Sequence, residues 1–311
     1  MHHHIPVLLK EVISVLDPKP GENFIDATLG GAGYTAELLK RTEPNGKILG
    51  IDLDEKAVNS AKKIFAKNKQ VILIHGNFKD LDSIVKRLDF ANIAGIVADL
   101  GFSSVQLDES SRGLSFQKKE VLDMRFDQTG EQVDAKFILN RYEENRLTEI
   151  FKKFGEERFS RQIAKKIIWY RTQNQEIKYT TQLYNIINSA LPKPIKYKAD
   201  DSARRIFQAL RIAVNHELDN LQEFLPKAFA LLKPQGRLAV VSFHSLEDRI
   251  VKQYFAGLSR GCVCPPDFPQ CICGRNPQAK LLTKKAMVPS AEEIQANPRS
   301  KSAKLRAVIK I

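Results

Sequence analysis

Carboxylates stand at the ends of three apolar runs in the first hundred residues. These are Asp26 in "NFIDATLG" (23–30), Asp52 in "KILGIDLD" (47–54) and Asp99 in "IAGIVADLG" (93–101). An acid that ends a buried strand can accept hydrogen bonds from a ligand at the carboxyl edge of an open α/β sheet, where such sheets bind their ligands. Directly after Asp26, Gly31, Gly33 and Ala36 fit G-x-G-x-x-A, and Asp52 follows about twenty residues later. That spacing is close to a dinucleotide fingerprint. Asp26 argues otherwise, because it would repel a pyrophosphate.

A nucleoside cofactor without phosphates suits these residues better. Asp26 can accept from an ammonium, directly or through water, and Asp52 from both ribose hydroxyls. Asn77 and Phe78, after the run "VILIHGNF" (71–78), offer a polar group for an adenine edge and an aromatic face. Glycines in the first turn let the backbone approach a methionine moiety. The expected cofactor is S-adenosylmethionine. Asp99 and Phe102, in "ADLGF", then resemble the acid and aromatic that amino-group methyltransferases place after the fourth strand, without the two prolines. The exocyclic amine of a base is a poor nucleophile, and an acceptor that holds its N–H orients it and receives the proton. Ser103 and His244 ("SFHS") are further catalytic candidates, although a lone histidine more often packs or caps a helix.

The elements that must position these groups are legible. Five apolar runs, the fifth being "GRLAVVSFHS" (236–245), lack strict alternation and suit parallel strands covered on both faces. Helical patterns separate the first four, which predicts a doubly wound sheet. "KLLTKKAM" and "KLRAVIKI" are expected to close it as an antiparallel pair. Between the fourth and fifth runs lie about 135 residues of helical pattern, too many for one crossover. The predicted architecture is a Rossmann-like α/β sheet with an inserted all-helical domain: 1–106 and 216–311 form the sheet, 107–215 the insert. The long pattern 203–232 is expected to divide, its second half returning to the sheet.

Net charge is +13 and unevenly placed: zero over 1–106 and 216–256, −3 over 107–150, +9 over 151–215 and +7 over 257–311. Such an excess suits a polyanion, RNA above all. In "ARRIFQALRIAVN" a helix sets Arg204, Gln208 and Arg211 on one stripe and Phe207, Leu210 and Val214 on another. Arg204, Arg205 and Arg211 are the candidate RNA contacts, facing either phosphate or an ion-pair partner. All four cysteines (Cys262, Cys264, Cys271, Cys273) lie in "CVCPPDFPQCIC". They are expected to be reduced, and C-x-C is tighter than the usual zinc spacing, so a proline-braced loop is favoured over a metal site. No apolar run approaches the ~20 residues of a membrane helix, and no signal peptide is visible; a cytoplasmic enzyme is expected.

"HHIPVLLKEV", "DATLGGAGYT", "ADLGFSSVQLD", "RGLSF", "LDMRFD", "FGEERF", "RIFQALRIAVNHEL" and "SFHSLEDRIVK" occur in this order. The chain thereby resembles, over essentially its full length, the ribosomal RNA small subunit methyltransferase H (MraW) family, and the match counts His4 as native. The resemblance implies a class I methyltransferase fold and N4-methylation of a cytidine in the decoding centre of 16S ribosomal RNA, free or in the assembled 30S particle. It implies cofactor contacts at Ala32, Gly33, Tyr34, Asp52, Phe78, Asp99 and Gln106. Tyr34 stands where the family usually has His, and "ADDSARR" where it has "HPATR". These departures bear on the base pocket more than on the cofactor site. A homodimer is compatible with the sequence, as are three rival readings: a methyltransferase for a protein or small molecule, a non-catalytic RNA-binding module, and a dinucleotide oxidoreductase.

Overall fold

Successive residues of the apolar runs divide between two buried layers. Phe24, Ile48, Val97 and Val241 belong to one cluster, while their neighbours Ile25, Leu49, Ile96 and Val240 belong to the other. This is the two-sided burial that non-alternating apolar strands demand. The structure is a computed structural model that describes residues 6–101, 111–129, 132–173, 176–262, 264 and 272–311. His4, Phe102, Ser103, Gln106 and Cys271 lie outside the described residues.

The chain forms two compact units, Met1–Gly101 with Asp219–Ile311, and Phe102–Leu218. The first begins α1 (Leu9–Leu16), β1 (Asn23–Asp26), α2 (Gly33–Thr42), β2 (Ile48–Asp52), α3 (Glu55–Ile64), β3 (Val71–His75), α4 (Leu81–Arg87) and β4 (Ile93–Asp99). In the helical unit follow α5 (Ala135–Arg141), α6 (Glu144–Gly155), α7 (Ser160–Thr172), α8 (Thr180–Ala190) and α9 (Ala199–Asn215). The first unit resumes through α10 (Glu217–Leu231), β5 (Leu232–Ser242), α11 (Ser245–Ser259), β6 (Ala279–Leu281), α12 (Ala291–Ala296) and β7 (Lys304–Lys310).

The sheet order is β3-β2-β1-β4-β5-β7-β6. The first five strands are parallel, and β7 runs antiparallel to both its neighbours. Helices α1, α2 and α3 supply Val12, Leu38 and Val58 to one layer, and α4, α10 and α11 supply Ile84, Phe224 and Phe255 to the other. The predicted doubly wound sheet and its antiparallel closing pair are both present. The first four strands are shorter than their apolar runs. β1 stops at Asp26 because Gly30 and Ala32 take left-handed φ values of 47° and 62°, which turn the chain out of the sheet.

The helical unit has its own core, in which Phe151, Ile167, Leu183, Ile206 and Leu210 are fully buried. Two long helical patterns divide. Residues 135–154 break at the extended pair Tyr142–Glu143, and residues 203–232 break at His216, whose φ is 51°. After the second break α10 returns to the sheet, as expected. Pro192 precedes a 3₁₀ helix, Lys193–Lys198, and Pro194 lies in its first turn.

One close approach sets the sheet's centre. A Cβ on Gly95 of β4 would lie 2.5 Å from the ring of Phe24, itself fully buried on β1. Gly95→Ala is therefore expected to overpack the layer and cost about 1–3 kcal/mol in chemical denaturation. An unchanged midpoint would show that Phe24 has room to move.

Candidate active site

The carboxyl ends of β1, β2 and β4 are joined by hydrogen bonds that all run through the glycine turn after β1. Asp52, ending β2, accepts from the Gly30 N–H through Oδ2 (2.7 Å) and from the Asp54 N–H through Oδ1 (2.8 Å). Asp26, ending β1, accepts from the Thr35 hydroxyl (2.8 Å) and, at 3.4 Å, from the Thr28 N–H. The Thr28 hydroxyl accepts from the Asp99 N–H (2.6 Å), which ties the turn to the end of β4. Register puts Asp26 opposite Gly50 of β2 and Val97 of β4, so the acids sit on adjacent strands.

Burial and proximity shift all three acids the same way. Burial, with the charge of Asp52 adding to it, raises Asp26 to about 6. Asp52 is also raised to about 6, again by burial first and then by Asp54. Asp99 is raised well above the usual carboxylate range by burial, then by the charges of Asp26 and Glu247. Its Oδ1 is buried and has no hydrogen-bond partner among the described residues. An acceptor left so costs free energy until a ligand satisfies it.

The remaining candidates are placed as follows. Gly33 and Tyr34 open α2, where the first N–H groups have no intrahelical acceptor. Only the backbone of Tyr34 is at the turn: its ring is buried and its hydroxyl donates to the Val7 carbonyl. Gly33 is required by packing, since a Cβ would fall 2.2 Å from the Pro6 ring. Ala32 holds the left-handed cap of α2. Phe78 is half-buried, edge-on to Phe224 at 5.0 Å, in a 3₁₀ turn capped by the Asn77 side chain. His244 caps α11: Nδ1 accepts from the Glu247 N–H at 3.4 Å, and Glu247 accepts from the His244 N–H at 3.3 Å. The other ring nitrogen, Nε2, is buried 3.2 Å from Glu247 Oε1.

In the helical unit the apolar stripe Phe207, Leu210 and Val214 is buried, as the periodicity predicts. The arginines divide between the two expected partners. Arg211 makes a two-pronged pair with Glu217 (2.8 and 3.0 Å), their side chains only 12% and 9% exposed. Arg205 pairs at 2.7 Å with the fully buried Glu157 side chain. Only Arg204, paired at 2.8 Å to exposed Asp201, lies on an open face. The sequence reading missed Thr28 and Thr35, although polar residues flanking a glycine turn were a usable signal. It also missed Trp169, an exposed ring with the Lys166 ammonium 3.7 Å from its centroid.

The strand order, the antiparallel β7, and the carboxylates around a glycine turn define a class I methyltransferase fold that uses S-adenosylmethionine. Asp52 fits the ribose, since each oxygen keeps a lone pair beyond its backbone bond, and the raised carboxyls fit a ligand carrying sulfonium and ammonium charges. The comparisons agree. The whole chain, residues 1–311, matches the MraW methylase family. Proteins named ribosomal RNA small subunit methyltransferase H are similar throughout: that of Heliobacterium mobile is 47% identical over 311 residues, covering 99% of each chain. That of Clostridium botulinum (strain Loch Maree / Type A3) is 46% identical, again over 99% of each. The chain belongs to the MraW methylase family.

Two outcomes follow from the charges. A cation favours ionised Asp26 and Asp52, whose pKa values lie near 6 without ligand, so binding releases protons below that pH. S-adenosylmethionine affinity, followed by titration calorimetry, is expected to rise with pH through 6 and level off above 7. The slope below 6 should reach about tenfold per pH unit for each carboxyl that ionises on binding. A flat profile would remove both acids from contact with the ligand's charge. Arg211→Ala leaves Glu217 unpaired in a buried setting and should destabilise the helical unit by about 3 kcal/mol. An RNA-binding defect without loss of stability would instead make Arg211 a direct contact.

Proposed function

We propose that the protein transfers a methyl group from S-adenosylmethionine to N4 of a cytidine in 16S ribosomal RNA, at the decoding centre of the small subunit. The observation that carries this reading is the buried Oδ1 of Asp99 at the end of β4, which has no hydrogen-bond partner among the described residues. When bound, the cofactor supplies an electrophilic methyl group on its sulfonium. Cytosine's exocyclic nitrogen has its lone pair delocalised into the ring and needs an acceptor to turn it toward that methyl. Oδ1 of Asp99 accepts one amine N–H, fixes the amine's orientation, and takes the proton that leaves as nitrogen becomes cationic. A base inside a duplex cannot reach a strand end, so the target is single-stranded or flipped out.

The helical unit supports RNA as the substrate. Trp169 and Tyr197 are 51% and 77% exposed, each with a lysine over its ring, Lys166 and Lys198. An exposed aromatic flanked by cations is suited to stacking on an unpaired base while the ammonium meets phosphate. Arg204 is exposed as well, while Arg205 and Arg211 are paired to Glu157 and Glu217. In this reading the substrate is small-subunit ribosomal RNA, free or in the assembled 30S particle, the enzyme works in the cytoplasm, and a homodimer is compatible with activity. Among the described residues no helix is long and apolar enough to cross a membrane.

Nucleoside mass analysis of ribosomal RNA from cells with and without the gene is the direct test. The proposal requires loss of N4-methylcytidine from the small-subunit RNA; loss from another RNA, or from a protein, would reassign the substrate. Asp99→Asn keeps an acceptor oxygen but cannot take a proton. It should slow single-turnover methylation of small subunits by about 10²–10⁴ while changing cofactor affinity little. Near-wild-type rates would exclude Asp99 from proton transfer. Trp169→Ala is expected to weaken RNA binding by about 1–3 kcal/mol, read by titration at fixed salt. Unaltered affinity would place the RNA on a different face.

A further inference from the structure

The segment from Arg260 to Pro277 joins α11 to β6 with no helix or strand among its described residues. It leaves and returns at one place: Gln278 N–H donates to the Leu258 carbonyl (2.8 Å) and Arg275 to the Gly257 carbonyl (2.8 Å), both in the last turn of α11. The segment's described residues lie outside the hydrophobic core clusters. Yet it gathers sulfur. The Sγ atoms of Cys262, Cys264 and Cys273 all lie within 4.8 Å of one another. Cys262 and Cys273 are eleven residues apart in sequence, with their sulfurs 3.7 Å apart.

We propose that Cys262, Cys264 and Cys273 are ligands of a structural Zn²⁺ ion. Zinc–sulfur bonds of about 2.3 Å in tetrahedral geometry set sulfur–sulfur edges of roughly 3.8 Å, the separation seen between Cys262 and Cys273. The Cys264 N–H approaches Cys262 Sγ at 3.4 Å, the amide-to-thiolate contact that offsets charge on a metal-bound sulfur. A loop braced by proline alone gives no reason for three sulfurs to converge from both of its ends. The C-x-C spacing, which had argued against a metal, brings Cys262 and Cys264 together once Cys273 folds back onto them. Thiolates select a soft or borderline ion, and zinc needs no redox partner. On binding, each thiol loses its proton to solvent, and the metal ties Cys262 and Cys264 to Cys273. Cys271, the remaining cysteine, lies outside the described residues.

The test uses the full chain purified under reducing conditions without added metal, with His2, His3 and His4 changed to Ala so that they contribute no metal. Elemental analysis should find about one zinc per chain. In Cys262→Ser and Cys273→Ser the content should fall roughly tenfold, while unchanged S-adenosylmethionine binding shows that the sheet remains folded. Replacing zinc by Co²⁺ in the otherwise intact protein should give a thiolate-to-cobalt charge-transfer band, absent from both variants. Stripping the metal with a chelator should open the 260–277 segment to limited proteolysis before any other site. Three results would overturn the proposal: no bound zinc with all thiols reacting rapidly, a disulfide involving Cys262 or Cys273 in mass analysis, or zinc retained at full content in both variants.

Discussion

Three carboxyl groups are held on adjacent strand ends, out of water, by one short turn. Everything at the carboxyl edge follows from that crowding. Like charges in a poorly solvated place repel, and the protein relieves this in two ways. Asp26 and Asp52 accept from nearby N–H and O–H donors, while the Asp99 carboxyl is raised well above the usual carboxylate range by burial and by the charges of Asp26 and Glu247. The turn in turn needs the carboxyls, because the Gly30 and Thr28 N–H groups donate to Asp52 and Asp26. A ligand bearing positive charge completes the arrangement and need not create it.

Most of this edge was legible in the sequence. An acid at the end of a run such as "IAGIVAD" has one place to go in a two-sided sheet, since every earlier residue must be buried. The register of the parallel strands then aligns those ends without further information. Roles that depend on a partner were less visible. The sequence leaves Arg211 facing either phosphate or an ion-pair partner, because periodicity does not say where the 203–232 pattern divides. The break at His216 brings Glu217, six residues on, back to the guanidinium. Tyr34 is similar: its place in the turn is legible, but its bond to Val7 depends on how the N-terminal segment packs over α2.

The helical unit shows how poorly net charge alone predicts a binding surface. Residues 151–215 carry +9, yet two of the three singled-out arginines are consumed by buried or half-buried acids of the same unit. Glu157 and Glu217 are few in number but well placed. The outside keeps exposed arginines such as Arg161 and Arg204, and lysine–aromatic pairs at Lys166 and Trp169 and at Lys198 and Tyr197. Ion pairs that order helices against each other and cations that meet a ligand draw on the same residue types. Only geometry separates them.

The position of β7 between β5 and β6 sets the order in which the chain can be assembled during synthesis. Strand β5 pairs with β4 on one side as soon as both have left the ribosome, but its other edge must wait for residues 304–310. Strand β6 emerges earlier than β7 and has no other neighbour in the sheet, so it waits as well. For the time needed to make those residues, β5 presents an unpaired, apolar edge, the kind of surface on which nascent chains pair with one another. The chain therefore passes through its most aggregation-prone state late in synthesis, after most of its core residues have already been made.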